Sequence, residues 1–484
     1  MKTVALYDDR IAIPEAAQQF LGIERFGQLL YRKRTLAEHT RSLFEASGTD
    51  RVVRLRGEQD ADRVLASLRR ESGAIQTIYW PACVAAPDRN AAGIFLRKLR
   101  HSQESFRVGI TAGATSPAVL VFGPGDAGLV SAAIEGGLTT TPGEGPSFHP
   151  IGNGGGFRDL LPAESLVEFL STTFDARAFN TVDHGRLTVR KRSADVTKMR
   201  REAKVFELLP PALRMFFLPT LAYHEEGGHA VYETERLMVP DMAIQWVHRA
   251  FTVEEFGVFL DRVLAFVAMR PLRPAPRAES VASLYVGKIE ERMAKLKQAP
   301  LHGRLASLIA EATDLGSLDH QVERFRSLWL ALSPRRKFHR QAVSHGDLCL
   351  SNILYARSTR LMRFIDPRGG DGAEDLWLDE YYDLAKLSHS ILGLYDFINH
   401  DLCDLHADRD LSLALEVAAE ELEPLQQLFR ERVGALGYDL GLLRLYEASL
   451  FLSMLPLHVD TPKKVLAFLI VAGRIMDGLE SGRI

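Results

Sequence analysis

Cysteine is scarce in this chain: Cys83, Cys349 and Cys403 are the only three in 484 residues. None stands in C-x-x-C spacing, so neither a disulfide framework nor a thiolate zinc site is expected, and a reducing, cytoplasmic setting fits. A charge imbalance is also lacking. The 59 Lys and Arg nearly balance the 62 Asp and Glu, leaving a net charge of −3, which argues against a general nucleic-acid binder. Local basic runs such as RKRSADVTKMRREAK could still hold an anion, phosphate being the simplest. No apolar run reaches the ~18 residues of a membrane span, and the opening MKTVALYDDR lacks the apolar core of a signal peptide. The stretch ARAFNTVDHGRLTV carries no G-x-G-x-x-G. The HEEGGH stretch, His224 to His229, is no zinc-protease motif either, because its histidines are five apart rather than four and Gly227-Gly228 marks a turn.

What the chain does carry is VSHGDLCLSNILYARSTRLMRFIDPRGG. Asp347, Asn352 and Asp366 follow one another there at intervals of five and fourteen residues, each after an apolar or turn segment. Phosphoryl transfer asks for such a set: one carboxylate to orient an acceptor hydroxyl and take its proton, and oxygen ligands for magnesium, which keeps several waters and needs few protein groups. Asp347 is the candidate base. Asn352 and Asp366 are the candidate metal ligands. The segment between them reads as a β-hairpin, ILY and LMRFI around a polar ARSTR turn, which would bring its two ends together. With 15 His in the chain, the H-x-D-x-x-x-x-N spacing is expected about 0.01 times by chance. An Asx-rich turn capping a hairpin is the plainer alternative.

HGDLCLSNIL followed by FIDPRG resembles the catalytic and metal-binding segments of the aminoglycoside phosphotransferase and choline kinase superfamily. These are relatives of the protein kinases that phosphorylate small molecules. Protein kinases carry H-R-D, D-F-G and A-P-E; here HGD and IDPRG stand instead, and no A-P-E follows. The resemblance implies Asp347 as base, Asn352 and Asp366 on Mg2+, and ATP as donor. His345 and Asp383, the latter in EYYDLAKLSHS, would brace the catalytic loop.

Such a fold needs a smaller lobe with a strand Lys and a helix Glu. GRLTVRKRS alternates as a strand, and ADVTKMRREAKVFELL follows with helical period at Val196, Met199, Ala203, Phe206 and Leu209. Lys191 and Glu202 are therefore the proposed ATP-binding pair, with Lys198 and Arg190 as competing cations on a crowded face. FFLPTLAYHEE, the Gly227-Gly228 turn and HAVYETERL make a second hairpin, after which adenine would meet backbone near Thr234 to Leu237. Phosphate cover is expected from the turn around Asn180 to Gly185, and IGNGGGFRD, Gly152 to Gly156, reads as a linker. The segment from Leu411 onward is apolar at helical period. Asp375, Asp379, Tyr381, Tyr395 and Asp396 are unranked candidates for acceptor contacts; an amine acceptor would want such acidic and aromatic groups.

The first part of the chain is different. KTVALY, TDRVVRLRG, AIQTIYWPACV and AVLVFG read as buried strands between helical segments, an α/β layer with a mostly parallel sheet. LLYRKRTLAEHTRSLFEASGTDRVVRL resembles the early part of the sugar nucleotidyltransferase fold. Active members carry a glycine-rich G-x-G-x-R loop after their first strand, whereas LYDDRIAIPEAAQ has no glycine and two acids, Asp8 and Asp9. Lys33, Arg34 and the Gly123-Pro124-Gly125 turn could meet an anion, but surface charge and a strand-end turn explain them.

The expected organisation is thus a degenerate nucleotidyltransferase-like α/β domain over 1–148, a linker over 149–164, a kinase N-lobe over 165–240 and a mostly helical C-lobe over 241–484. The last two make an α+β bilobal, protein-kinase-like fold. The expected function is an ATP- and Mg2+-dependent kinase acting on a hydroxyl of a small molecule, a sugar or amino-alcohol of surface-glycan synthesis. The alternatives are an inactive nucleotide-binding scaffold and a bifunctional kinase and nucleotidyltransferase. No nucleic-acid partner is expected, and nothing in the sequence indicates an oligomeric state.

Overall fold

In the computed structural model the described residues are 1–31, 34–70, 74–100, 102–110, 117–136, 148–171, 180–185, 187–275, 281–300, 302–311, 316–407, 412–417 and 419–483. The chain divides into two compact units, Met1–Thr173 and Phe174–Ile484.

The first unit is built on a six-stranded sheet. Its strands lie in the order Arg51–Leu55, Lys2–Asp8, Ile75–Pro81, Ala118–Phe122, Phe106–Gly109 and His149–Ile151. All run one way except Ala118–Phe122, which is antiparallel to both neighbours. The four strands expected from their apolar runs are present; Phe106–Gly109 and His149–Ile151 lack such runs and were not anticipated. Val4, Leu6, Tyr79, Leu120 and Phe122 pack one face with Val130 and Ile134. The helix Leu36–Ala46 starts at a capping box in which Thr35 and Glu38 satisfy each other's backbone N–H groups.

The linker expectation fails. Residues 149–151 add the edge strand of the sheet, Arg158–Asp159 pairs with Val84–Ala85, and the helix Ala163–Ser171 follows within the same unit. Glycines that would make a flexible linker are pinned instead. Asn153 accepts from the Phe157 N–H and donates to the Phe157 carbonyl, both at 2.7 Å, and the Phe157 ring stands edge-on to Trp80.

The second unit opens with a four-stranded antiparallel sheet, ordered Asn180–His184, Thr188–Ser193, His229–Glu235 and Thr220–Glu226. Met199 and Ala203 of the helix Val196–Leu208 pack on Ala230 and Tyr232, and Asp195 caps that helix by accepting from the Lys198 N–H. Gly227 and Gly228, at φ 57° and 77°, make the tight turn between Glu226 and His229, as two-residue hairpin turns require. That is the structural use of HEEGGH. Asn180 to Gly185 is not a free turn: residues 180–184 are a strand laddered to 189–193, and the Gly185 N–H is spent on the Thr188 carbonyl.

From Met242 the unit is largely helical around one apolar core, with Trp246, Phe259, Tyr285, Phe325, Tyr446 and Phe468 among its largest side chains. The segment Leu440–His458 is long and apolar enough by mean hydropathy to cross a membrane, although Arg444 and Glu447 interrupt its apolar residues. Yet 72% of it is buried inside this core, the ordinary place of such a helix in a globular domain.

Candidate active site

Asp347 lies just beyond the strand Arg340–Val343, on a loop with few alternatives. Gly346 has φ 82°, and a Cβ there would come within 2.6 Å of the Arg368 Cβ. Only glycine suits both demands. Asp383, at the start of the helix Tyr382–Ile391, accepts the N–H of His345 at 3.0 Å and of Gly346 at 2.9 Å. Arg270 holds that carboxylate from behind at 3.1 Å, both side chains being wholly buried. A half-satisfied pair at this depth would cost several kcal/mol, so the loop is anchored through its backbone.

His345 completes the brace. Its Nδ1 accepts the Asp347 N–H and its Nε2 meets the Ile365 carbonyl at 2.9 Å, which assigns the neutral tautomer protonated on Nε2. Burial lowers its pKa, in keeping with a neutral ring. One side chain thereby ties the base loop to the residue before Asp366.

The hairpin between the candidate metal ligands forms as expected, with Ile353 opposite Phe364 and Leu354 opposite Arg363. The Ile365 N–H donates to the Asn352 carbonyl at 3.0 Å, so Asn352 and Asp366 close the same end. The Asn352 amide donates to the Asp347 carbonyl at 2.8 Å, which leaves its oxygen for a cation. Asp366 has φ 54°, an unusual conformation for a non-glycine and one that clusters at functional sites. Its side chain remains 47% exposed. One exposed carboxylate and one amide oxygen suit a partly hydrated magnesium ion; among the described residues no group of three or more His, Cys, Asp or Glu could hold a metal by itself.

Lys191 reaches both halves of this arrangement. Its ammonium is 2.7 Å from Glu202 and 3.0 Å from Asp366, and Tyr232 donates to the same Glu202 oxygen at 3.1 Å. Burial alone would lower the Lys191 pKa, but Asp366 and Glu202 outweigh it and raise the value. Of the competing cations, Arg190 pairs with Glu233, whereas Lys198 touches the outer oxygen of the same Glu202 at 3.5 Å. The helix is also fixed to the metal loop. Gly369, at φ 65°, passes so close that a Cβ would meet the Arg201 carbonyl at 2.3 Å, and Arg201 pairs with Asp371 at 2.5 Å.

One group at the site was not anticipated. Lys386 stands one turn after Asp383 and places its ammonium 2.8 Å from Asp347 Oδ1. Burial would raise the Asp347 carboxyl, yet the Lys386 charge and hydrogen bond outweigh burial and hold it well below the usual carboxylate range. The acceptor candidates fare differently. Asp379 pairs with buried Arg336 at 2.6 Å, Asp375 accepts backbone N–H groups of Asp371 and Gly372, and Tyr381 packs on Arg336 and Tyr446. Asp396 is fully buried, and Tyr395 stacks on His389. Asp379, Asp375, Tyr381 and Tyr395 thus have partners within the fold, and Asp396 is buried without a cation among the described residues.

In the first unit the strand-end acids are closed off. Asp8 pairs with Arg10 at 2.7 Å and accepts from the Tyr79 hydroxyl at 2.6 Å. Asp9, with no exposed side-chain surface, is held by Arg54 at 2.5 Å and by the Gly27 N–H at 2.8 Å. Lys33 lies outside the described residues; Arg34 belongs to a short exposed strand.

No protein-family model matches the chain, and no curated protein matches it significantly. Among solved structures, it is similar to a thermostable mutant of aminoglycoside phosphotransferase APH(4)-Ia in complex with ADP and hygromycin B. The identity is 12% and the TM-score 0.40, over 65% of this chain and 98% of that one. It is also similar to aminoglycoside phosphotransferase APH(3'')-Id from Streptomyces rimosus in complex with ADP and streptomycin, at 16% identity and TM-score 0.31, over 56% and 86%. A likeness of this extent assigns neither family nor activity to the chain, and the functional reading rests on the site's own geometry.

Proposed function

We propose that the second unit is an ATP- and Mg2+-dependent phosphotransferase that transfers the γ-phosphoryl group to a hydroxyl of a small molecule. The single observation that carries this reading is Lys191 bridging Glu202 and Asp366 at 2.7 and 3.0 Å. It joins a strand, a helix and a loop far apart in sequence into one phosphate and metal station. Asp347 stands on the loop that the same hairpin closes.

In this reading Lys191, oriented by Glu202, binds donor phosphate oxygens. Asn352 and Asp366 hold magnesium, which supplies charge neutralisation on the phosphates when bound. Asp347 keeps one oxygen on Lys386, and the other accepts the hydrogen bond of the acceptor hydroxyl. That fixes the line of attack and gives the proton a destination as the new bond forms. A base with so low a proton affinity suits a loose transition state, in which the hydroxyl proton moves late. The adenine would meet backbone near Thr234 to Leu237, where His229–Glu235 ends and the helical part begins.

A sugar acceptor of surface-glycan synthesis remains our preferred class. The amino-alcohol alternative loses support, since Asp375, Asp379 and Asp396 are engaged or buried. For the first unit we propose a scaffold or carrier contact on a nucleotidyltransferase-like sheet without transferase chemistry, because Arg10 and Arg54 occupy the acids at the strand ends. Nucleotidyl transfer at enzymatic rates, assayed with the four nucleoside triphosphates and a panel of sugar phosphates, would overturn that. The kinase reading is tested by following ADP release from Mg-ATP with the full-length protein over alcohols, sugars and amino sugars, with Asp347→Ala as the control. Acceptor-dependent release lost in the variant is the expected result; release that survives Asp347→Ala would remove the assignment.

A further inference from the structure

Tyr382, the residue before the loop-bracing Asp383, has three cations as neighbours. Lys386 belongs to its own helix and sits on Asp347 at 2.8 Å. Lys288 arrives from the helix Lys288–Lys297, its ammonium 2.8 Å from the Tyr382 hydroxyl and 5.3 Å from the ring centre. Arg368 follows the metal loop, donates its backbone N–H to the His345 carbonyl at 2.9 Å, and lies against Gly346. Burial would raise the Tyr382 phenol, yet Lys386, Lys288 and Arg368 outweigh burial and bring it below its ordinary value.

The acids around this group are few. Asp347 is committed to Lys386, and Glu291, the carboxylate one turn beyond Lys288, pairs with Lys295 at 2.5 Å. Neither Lys288 nor Arg368 makes an ion pair among the described residues. Lys288 and Arg368 thus bring two cations without an ion-pair partner among the described residues to Tyr382, whose third cation, Lys386, sits on the candidate base. An ammonium-bearing acceptor would be repelled here. A planar or tetrahedral anion would find the exposed Arg368 guanidinium and the half-buried Lys288 ammonium as charge-assisted donors.

Resting on the kinase reading above, we propose that Lys288, held by the buried Tyr382 hydroxyl, and Arg368 seat an anionic group, a carboxylate or a phosphate, carried by the acceptor beside the hydroxyl that Asp347 addresses. The acceptor is then a hydroxy acid, a uronic acid or a sugar phosphate rather than an amine or an uncharged sugar.

The experiment compares acceptors matched in skeleton and different in charge: glucose, glucosamine, glucuronate and glucose 1-phosphate, and glycerol, serinol, glycerate and glycerol 3-phosphate. ADP release from Mg-ATP is followed with the full-length protein and with Lys288→Glu and Lys288→Arg. Within at least one set an anionic member is expected to have a KM about tenfold or more below its neutral and aminated partners. Carboxylate and phosphate members distinguish the two anion sources. Lys288→Glu should raise that KM by at least about tenfold with a smaller change in kcat, and Lys288→Arg should restore most of it. Preference for the neutral or aminated member would leave the kinase reading standing and overturn this one. An equal loss of kcat on every acceptor in Lys288→Glu would also overturn it, by assigning the cations to the transferred phosphoryl group. ADP release with none of the eight would count against both readings.

Discussion

Each of the two units places acids just beyond its strands, and each treats them differently. In the first, Asp8 and Asp9 end the strand Lys2–Asp8 and meet arginines whose forks grip them at 2.7 and 2.5 Å, while Tyr79 and the Gly27 N–H take up further lone pairs. In the second, Asp347 and Asp366 follow their strands and meet lysines. Each lysine is a point donor that engages one oxygen, and the side chains stay 40% and 47% exposed. A carboxylate serves chemistry only if its counter-charge leaves it an open oxygen. Arginine's fork closes such a group, and lysine's single ammonium does not.

The largest expected effect breaks the open side of this comparison. Asp347→Ala should lower acceptor phosphorylation by about 10³-fold or more, while calorimetry finds Mg-ATP binding within about threefold of the parent. Equal losses in both would mean that Asp347 holds the nucleotide and not the acceptor.

The closed side breaks differently. Arg54→Met leaves Asp9 buried without its cation, and the first unit should lose about 3 kcal/mol of stability in denaturant unfolding. ADP release should stay within about twofold. An Arg54 variant of unchanged stability would show that Asp9 has another use. Between these lies Asp366→Ala, which should weaken Mg-ATP binding about tenfold or more and have little effect on ATP binding when magnesium is omitted.

The legible parts of the molecule were those where chemistry and geometry share a short segment. The hairpin between Asn352 and Asp366 was readable because alternating apolar residues around ARSTR set a register that brings its ends together. Lys191 and Glu202 were readable because one strand and the next helix carry them. Lys386 was not, since a lysine on an amphipathic helix has no pattern of its own, and its meaning depends on the fold that sets it beside Asp347. The boundary at Thr173 was missed because glycine composition says linker, whereas Asn153 spends its amide pinning that turn to Phe157. The edge strands Phe106–Gly109 and His149–Ile151 are short and broken by polar residues, so only pairing defines them.

A smaller effect sharpens the role of the lysine. With Lys386 in place, Asp347 stays ionised well below the usual carboxylate range, so the acid limb of kcat/KM should fall below about pH 4. In Lys386→Met the burial that raises Asp347 is no longer opposed, and the limb should move upward by one pH unit or more. A limb that does not move would mean that Asp347 is not the titrating group, however much kcat changes.

Asp396 shows a third treatment, in which a buried acid has no cation among the described residues and burial favours its protonated form. Burial pushes its carboxyl up to about 7, and Asp241, which also feels the Asp396 charge, is pushed by burial to about 7 as well. In the unfolded chain both would titrate near 3.9. Between about pH 4 and 7 the folded chain thus binds protons that the unfolded chain has released. Stability must fall as pH rises through that window and be lowest above it. Asp396→Asn removes one of the two groups. It should be about 1 kcal/mol more stable than the parent at pH 8 and little different at pH 5, read as melting temperatures. An equal loss at both pH values would mean that Asp396 is charged in the fold. A counter-charge for it would then have to exist, and the contrast between open, closed and uncompensated acids would reduce to the first two.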